Sequence, residues 1–140
     1  DQAATLSALS DIFSRSMGGS SGVLMAIMFA AAGRARADGM ALASAFAAGL
    51  DRVRHYGGAK LGDRTMIDAL QPALEVWGAG KGLSQAAVAA RKGADRTAKM
   101  AKARAGRSAH VAGASLAGNV DPGAEAVAQL FAALDKQARG

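Results

Sequence analysis

Apolar residues recur along this chain at helical spacing. Leu6, Leu9, Ile12 and Phe13 stand at i, i+3, i+6 and i+7 between Gln2 and Met17, on one helix face. Gly18-Gly19 ends that helix, and Ser20 or Ser21 caps a second one carrying Leu24, Ile27 and Met28, which ends near Gly33. Asp38 offers the next N-cap. The third helix then runs from Met40 to His55 with Leu42, Phe46, Leu50 and Val53 in register. After a glycine-bearing loop from Tyr56 to Leu61, Asp63 caps a fourth helix holding Met66, Ile67, Leu70, Leu74 and Trp77. Pro72 lies inside that pattern and predicts a kink or a restart, because proline removes a backbone donor and crowds the preceding turn. The Gly78 to Gly82 stretch closes the segment, and Ser84 caps a fifth helix of roughly twenty residues. Residues 106–120 are small, polar and aperiodic, and read as a loop. Asp121-Pro122 pairs an N-cap with proline at N1 and starts the last helix, with Val127, Leu130, Phe131 and Leu134.

These patterns predict an all-α fold: an antiparallel bundle of about six helices joined by short loops, in a single domain over residues 1–140. Composition sharpens the picture. Of the 51% of residues that are apolar, more than half are alanine, 37 in all, while Val and Ile together number ten. An all-β fold needs runs of β-branched and aromatic residues, which are missing here. With no cysteine, a disulfide scaffold and zinc-thiolate chemistry are excluded, and a reducing compartment suits the chain. The longest uncharged apolar run, from Met17 to Gly33, begins with glycines and serines, so its apolar part is too short for a bilayer of about 30 Å. A soluble, cytoplasmic protein without a membrane partner is expected. With Asp1 in place of a methionine, the natural start is expected upstream.

Three segments could carry chemistry. Gly18-Gly19-Ser20-Ser21-Gly22 sits where a helix begins, and unpaired N–H groups there favour an anion that glycines allow to approach; simple capping explains the same residues. Gly57-Gly58-Ala59-Lys60-Leu61-Gly62-Asp63-Arg64 places two cations among three glycines, an anion site by one reading and a capped loop by the other. It is not a Walker A loop, and Lys81 fails that pattern too because Gly82 stands where the metal-binding hydroxyl belongs. Third, Gly106-Arg107-Ser108 precedes Asp121-Pro122-Gly123, another loop leading into a helix start. Arg91, Lys92, Arg96, Lys99, Lys102, Arg104 and Arg107 face Asp95 alone, but no aromatic residues interleave them. A solvated face or an acidic docking partner therefore fits better than nucleic acid. His55 and His110 have no metal-ligand spacing, and Asp63 and Asp68 would fall on different faces of a helix.

Taken in order, GGSSG, YGGAKLGDRTMIDALQPALE, AGRSAH and DPGAEAVA resemble the nucleotide-binding domain of dihydroxyacetone kinase, from about Leu6 to the C-terminus. GDRTMIDALQPA is the specific part. The resemblance implies an antiparallel helical barrel of eight helices, present here in part, with ATP or ADP at one open end. It implies that Ser20 and Ser21 contact phosphates and that Gly57 and Met66 surround the nucleotide. Arg107, Asp121, Pro122 and Gly123 complete the site, with no catalytic or metal-ligating residue in this chain. Family members carry an aspartate-rich loop upstream of GGSSG that chelates Mg2+. No such motif precedes Gly18 here, so the domain is expected to be N-terminally incomplete and inactive by itself. The implied function is phosphoryl transfer from ATP to the hydroxyl of dihydroxyacetone or a related short ketose. That ketose would be held by a separate substrate domain or subunit, through which a homodimer would form. The contrasting reading, prompted by the missing loop, is a catalytically silent helical docking module.

Overall fold

The structure is a computed structural model and describes residues 1–16, 19–58, 60–100 and 118–140. Among them there are six helices and no strand: α1 (Gln2–Ser16), α2 (Gly19–Ala37), α3 (Leu42–Gly57), α4 (Ile67–Gly78), α5 (Gly82–Thr97) and α6 (Pro122–Arg139). The all-helical expectation holds. No described helix is long and apolar enough to cross a membrane. The chain divides into two compact units, Asp1–Gly58 and Ala59–Gly140.

In the first unit α1, α2 and α3 pack as antiparallel neighbours. Ser10 Oγ donates to Ala26 O at 2.7 Å, while Arg36 Nε donates to Gln2 Oε1 at 2.8 Å, so residue numbers run in opposite directions across the α1–α2 seam. Small residues bring these helices close. A Cβ at Gly33 would lie 2.9 Å from Ser7 Oγ, and one at Gly49 would lie 2.6 Å from Met28 O. Gly33 is therefore a packing residue, not a stop. α2 continues to Ala37, and Gly39, at φ 93°, turns the chain. Asp38 belongs to that turn, its N–H donating to Arg34 O, and Ala41 rather than Asp38 is the N-cap of α3. Phe29 joins the core to Phe13 and Phe46, with ring centroids 5.0 and 5.5 Å away.

The second unit is built on alanine. Ala69, Ala73, Ala86, Ala90, Ala94 and Ala124 are fully buried, so axes approach closely while each residue removes little area from water. Pro72 neither breaks nor restarts α4, which is one helix from Ile67 to Gly78. Proline's missing N–H leaves the carbonyl of Asp68, four residues back, without its helical donor. The backbone of α5 passes over that carbonyl at Gly93, where a Cβ would lie 2.0 Å from Asp68 O. α5 starts from Lys81, so Ser84 lies inside it and donates to Asp135 Oδ1 of α6 at 2.5 Å instead of capping. Arg91 adds a second tie to α6, a bidentate pair with Glu125 at 2.9 and 2.6 Å, and also reaches Asp95 at 3.1 Å. Hydrogen bonds from Arg91, then from Gln129, hold the Glu125 carboxyl down at about 2.

Candidate functional site

α4 is reached through a turn held by carboxylates. Asp63 Oδ2 accepts from the Lys60 N–H at 3.0 Å. Asp68, in the first turn of α4, accepts from Gly62 N–H at 2.7 Å with one oxygen and from Thr65 N–H at 2.9 Å with the other. Thr65 Oγ1 accepts from Ile67 N–H at 3.2 Å. The turn places Gly62 at φ 91° and Arg64 at φ 61°. A side-chain-bearing residue in that left-handed region costs roughly 1–2 kcal/mol, so the arginine must return more than that through its contacts.

Its guanidinium does so at the meeting point of three segments. Arg64 is 2% exposed. Nε donates to Thr97 O at 3.2 Å, Nη2 donates to Asn119 O, and Nη1 lies 3.6 Å from Asp121 Oδ1. Thr97 is the last residue of α5; its hydroxyl donates to Ala94 O at 2.5 Å and accepts from Asp121 N–H at 2.8 Å. A cation thus sits where α5 presents carbonyls, and a carboxylate where α6 presents amides, as both helix dipoles favour.

The start of α6 leaves one donor over. Pro122 has no N–H, Ala124 N–H is taken by Asp121 Oδ2 at 3.0 Å, and Glu125 N–H by Asp121 O at 2.9 Å. The Gly123 N–H has no acceptor among the described residues. A Cβ at Gly123 would lie 3.2 Å from Asp121 Oδ2 and 3.3 Å from Met66 Cβ, so the Met66 turn and the first turn of α6 stand side by side.

This helical architecture is shared with known proteins. The DAK2 domain family matches residues 1–136. The chain belongs to the DAK2 domain family. It is 50% identical over 125 residues to a dihydroxyacetone kinase of Citrobacter freundii, covering 89% of this chain and 23% of that enzyme. To the triokinase/FMN cyclase of Mus musculus it is 37% identical over 143 residues, covering 94% and 24%. The crystal structure of the native C. freundii enzyme matches with a TM-score of 0.80 and 44% identity, over 97% of this chain and 24% of that one. A structure of that enzyme in complex with AMP-PNP and Mg2+ matches with a TM-score of 0.77 and 41% identity, over 97% and 23%. The chain spans about a quarter of the length of these relatives.

Within this DAK2 domain, Met66, Asp121, Pro122 and Gly123 come together in the second unit. Ser20, Ser21 and Gly57 belong to the first. Ser20 and Ser21 are the second and third residues of α2, which begins at Gly19, so neither precedes the helix as an N-cap. Gly57 is the last residue of α3, followed by the left-handed Gly58, rather than part of an open loop. Arg107 lies outside the described residues, as do residues 106–117 of the expected loop. Met66 is buried as a whole residue and packs beside the first turn of α6.

Two expectations about the middle segment are corrected. Asp63 does not cap α4, which starts four residues later; it closes the preceding turn. Arg64 is not a cation held out for an anion, because its donors are consumed inside the protein, whereas Lys60 remains exposed. Arg64, Asp68 and Thr97 are the members of the site that sequence reasoning missed. In the sequence Arg64 is visible only as one of two cations among glycines and Asp68 only as a carboxylate on another helix face than Asp63; neither shows the partners it takes. No group of three or more metal-ligating side chains occurs among the described residues. Asp68 and Asp121 are committed, and Asp63 Oδ1, buried without a donor, stands alone. The described residues therefore do not make a magnesium site.

Proposed function

We propose that this DAK2 domain binds the nucleotide in a kinase that transfers a phosphoryl group from ATP to the hydroxyl of dihydroxyacetone or a related short ketose. The ketose is held by a separate substrate domain or subunit. The observation that supports this reading is the pairing of the Met66 turn with the first turn of α6, where the Gly123 N–H has no acceptor among the described residues and is able to donate to a phosphate oxygen. The relatives support it from outside. Those named above are kinases by name, and the AMP-PNP and Mg2+ complex shows that a protein of this family takes an ATP analogue.

In this reading the domain's task is placement. The resemblance makes Ser20, Ser21, Gly57 and Arg107 candidate nucleotide contacts, and in the second unit Met66 and the Asp121-Pro122-Gly123 turn would hold ATP while the ketose hydroxyl attacks the terminal phosphorus. One P–O bond forms, the bond to ADP breaks, and the hydroxyl proton is released. Mg2+ neutralises phosphate charge in such transfers, and its ligands are sought outside the described residues of this chain.

Calorimetric titration of the complete protein with ADP and ATP in the presence of Mg2+, followed by a coupled assay for ATP-dependent phosphorylation of dihydroxyacetone, tests the proposal. Saturable nucleotide binding and turnover of a short ketose are expected. A folded protein with no nucleotide-linked heat would instead favour a docking module, and binding without turnover of any short ketose would remove the kinase assignment.

A further inference from the structure

We infer that Arg64 is a positioning residue for the nucleotide site: its guanidinium fixes the Met66 turn against the first turn of α6 and neutralises Asp121. This rests on the nucleotide-binding reading above and adds to it a residue that contacts no ligand. The side chain is almost wholly buried and tied to three places, at Thr97 O, Asn119 O and Asp121 Oδ1. Thr97 and Asn119 lie 33 and 55 residues away along the chain. A left-handed backbone at a long side chain is retained only where its surroundings over-determine it. Here the surroundings are the two turns proposed to face the ligand.

The charge matters as much as the geometry. Asp121 caps α6 with one oxygen and faces Arg64 with the other. Losing the guanidinium would remove a cation 3.6 Å from the Asp121 carboxylate and leave more negative charge beside Gly123 for a polyphosphate to approach. Arg64 lets α6 have an acidic cap and still receive an anion.

The test uses the complete protein carrying Arg64→Lys, Arg64→Met, Asp121→Asn, or the last two combined. Nucleotide affinity is measured by calorimetry with ADP and Mg2+ and scaled to the folded fraction of the same sample. Arg64→Lys keeps a charge near Asp121 but lacks the fork that reaches two carbonyls. The expected result is a folded protein whose ATP KM rises about tenfold while kcat stays within about twofold, as when binding common to ground and transition states is lost. Arg64→Met is expected to weaken ADP binding more than Arg64→Lys. Adding Asp121→Asn should recover part of that loss, so the double variant's loss is smaller than the product of the single losses. A purely structural arginine would lower thermal stability but leave the affinity of the folded fraction unchanged, and its effect would multiply with that of Asp121→Asn. Either outcome overturns the inference, as does failure of both Arg64 variants to fold. If the unaltered protein itself binds no nucleotide, the functional reading fails first. If it binds and the folded variants bind equally, only the role of Arg64 fails.

Discussion

Gly93→Ala isolates the contact on which the second unit turns. On an exposed helix the change would stabilise by about 1 kcal/mol, the ordinary difference in helix propensity. Here the new methyl would lie 2.0 Å from Asp68 O, 2.9 Å from Ala69 Cα and 3.0 Å from Asp68 C, all backbone atoms that cannot rotate away. Ordinary contact begins at 3.4 Å, so α5 must withdraw by the difference, about 1.4 Å. A gap of that size strips dispersion contacts from the facing rows of Ala69 and Ala73 on α4 and Ala86, Ala90 and Ala94 on α5, all fully buried. Overpacking typically costs about 1–3 kcal/mol, and disturbance of five buried alanines puts this case at the upper end. After the propensity gain a net loss of about 2 kcal/mol remains, which lowers the melting midpoint by roughly 8–16 °C for a unit of this size. Thermal and urea melts followed by circular dichroism measure it. Gly78→Ala is the control, because nothing lies within 4 Å of its Cβ position, and it should leave the midpoint unchanged or slightly raised. If Gly93→Ala behaves like Gly78→Ala, the close crossing of α4 and α5 is wrong.

Gly49→Ala makes the same test in the first unit, where the methyl would meet Met28 O at 2.6 Å; a loss of about 1–3 kcal/mol in urea melts is expected. Asp68→Asn turns one of two buried acceptors into a donor facing an N–H group, Gly62 or Thr65, and should cost about 2 kcal/mol. An unchanged urea midpoint would show that the turn does not depend on that carboxylate. Glu125 titrates from 4.5 down to about 2 because of Arg91 and Gln129, so its stabilisation is complete above the unfolded value and is lost as pH falls through about 2. Glu125→Gln should therefore cost a constant increment above about pH 5 that shrinks below it. Since both partners are a third or more open to water, that increment is on the order of 1 kcal/mol; a difference independent of pH down to 2 would refute the pairing.

The helices were legible because their apolar positions keep one period: of the residues chosen by that period Leu6, Met28, Leu50, Val53, Ile67, Leu70, Leu74, Val127 and Phe131 are buried, whereas Ile12 and Leu134, on the same patterns, are exposed. Asp121-Pro122 was legible for a local reason, since an N-cap and its proline are adjacent. What failed to show was whatever depended on a second segment. Gly33 looks like a terminator until Ser7 is known to lie against it, and Ser84 looks like a cap until Asp135 faces it. Arg64 is the extreme case. Nothing local distinguishes a buried guanidinium from a solvated one, and its acceptors are backbone carbonyls that leave no trace in residue type.

The alanine-rich core and the buried arginine have a common origin. Helices lined by alanine approach closely but gain little from area, so the second unit must also secure its helix ends, where backbone groups lack intrahelical partners. Arg64 serves the carbonyls at the end of α5 and before α6, Thr97 Oγ1 takes the Asp121 N–H, and Asp121 takes the Ala124 N–H. Each ends one chain of unpaired groups with the start of another. Where the series stops, the amide of Gly123 has no acceptor among the described residues. Arg64 and Thr97 are therefore placed by the capping needs of the end of α5 and the start of α6, which is enough to explain their burial without any ligand.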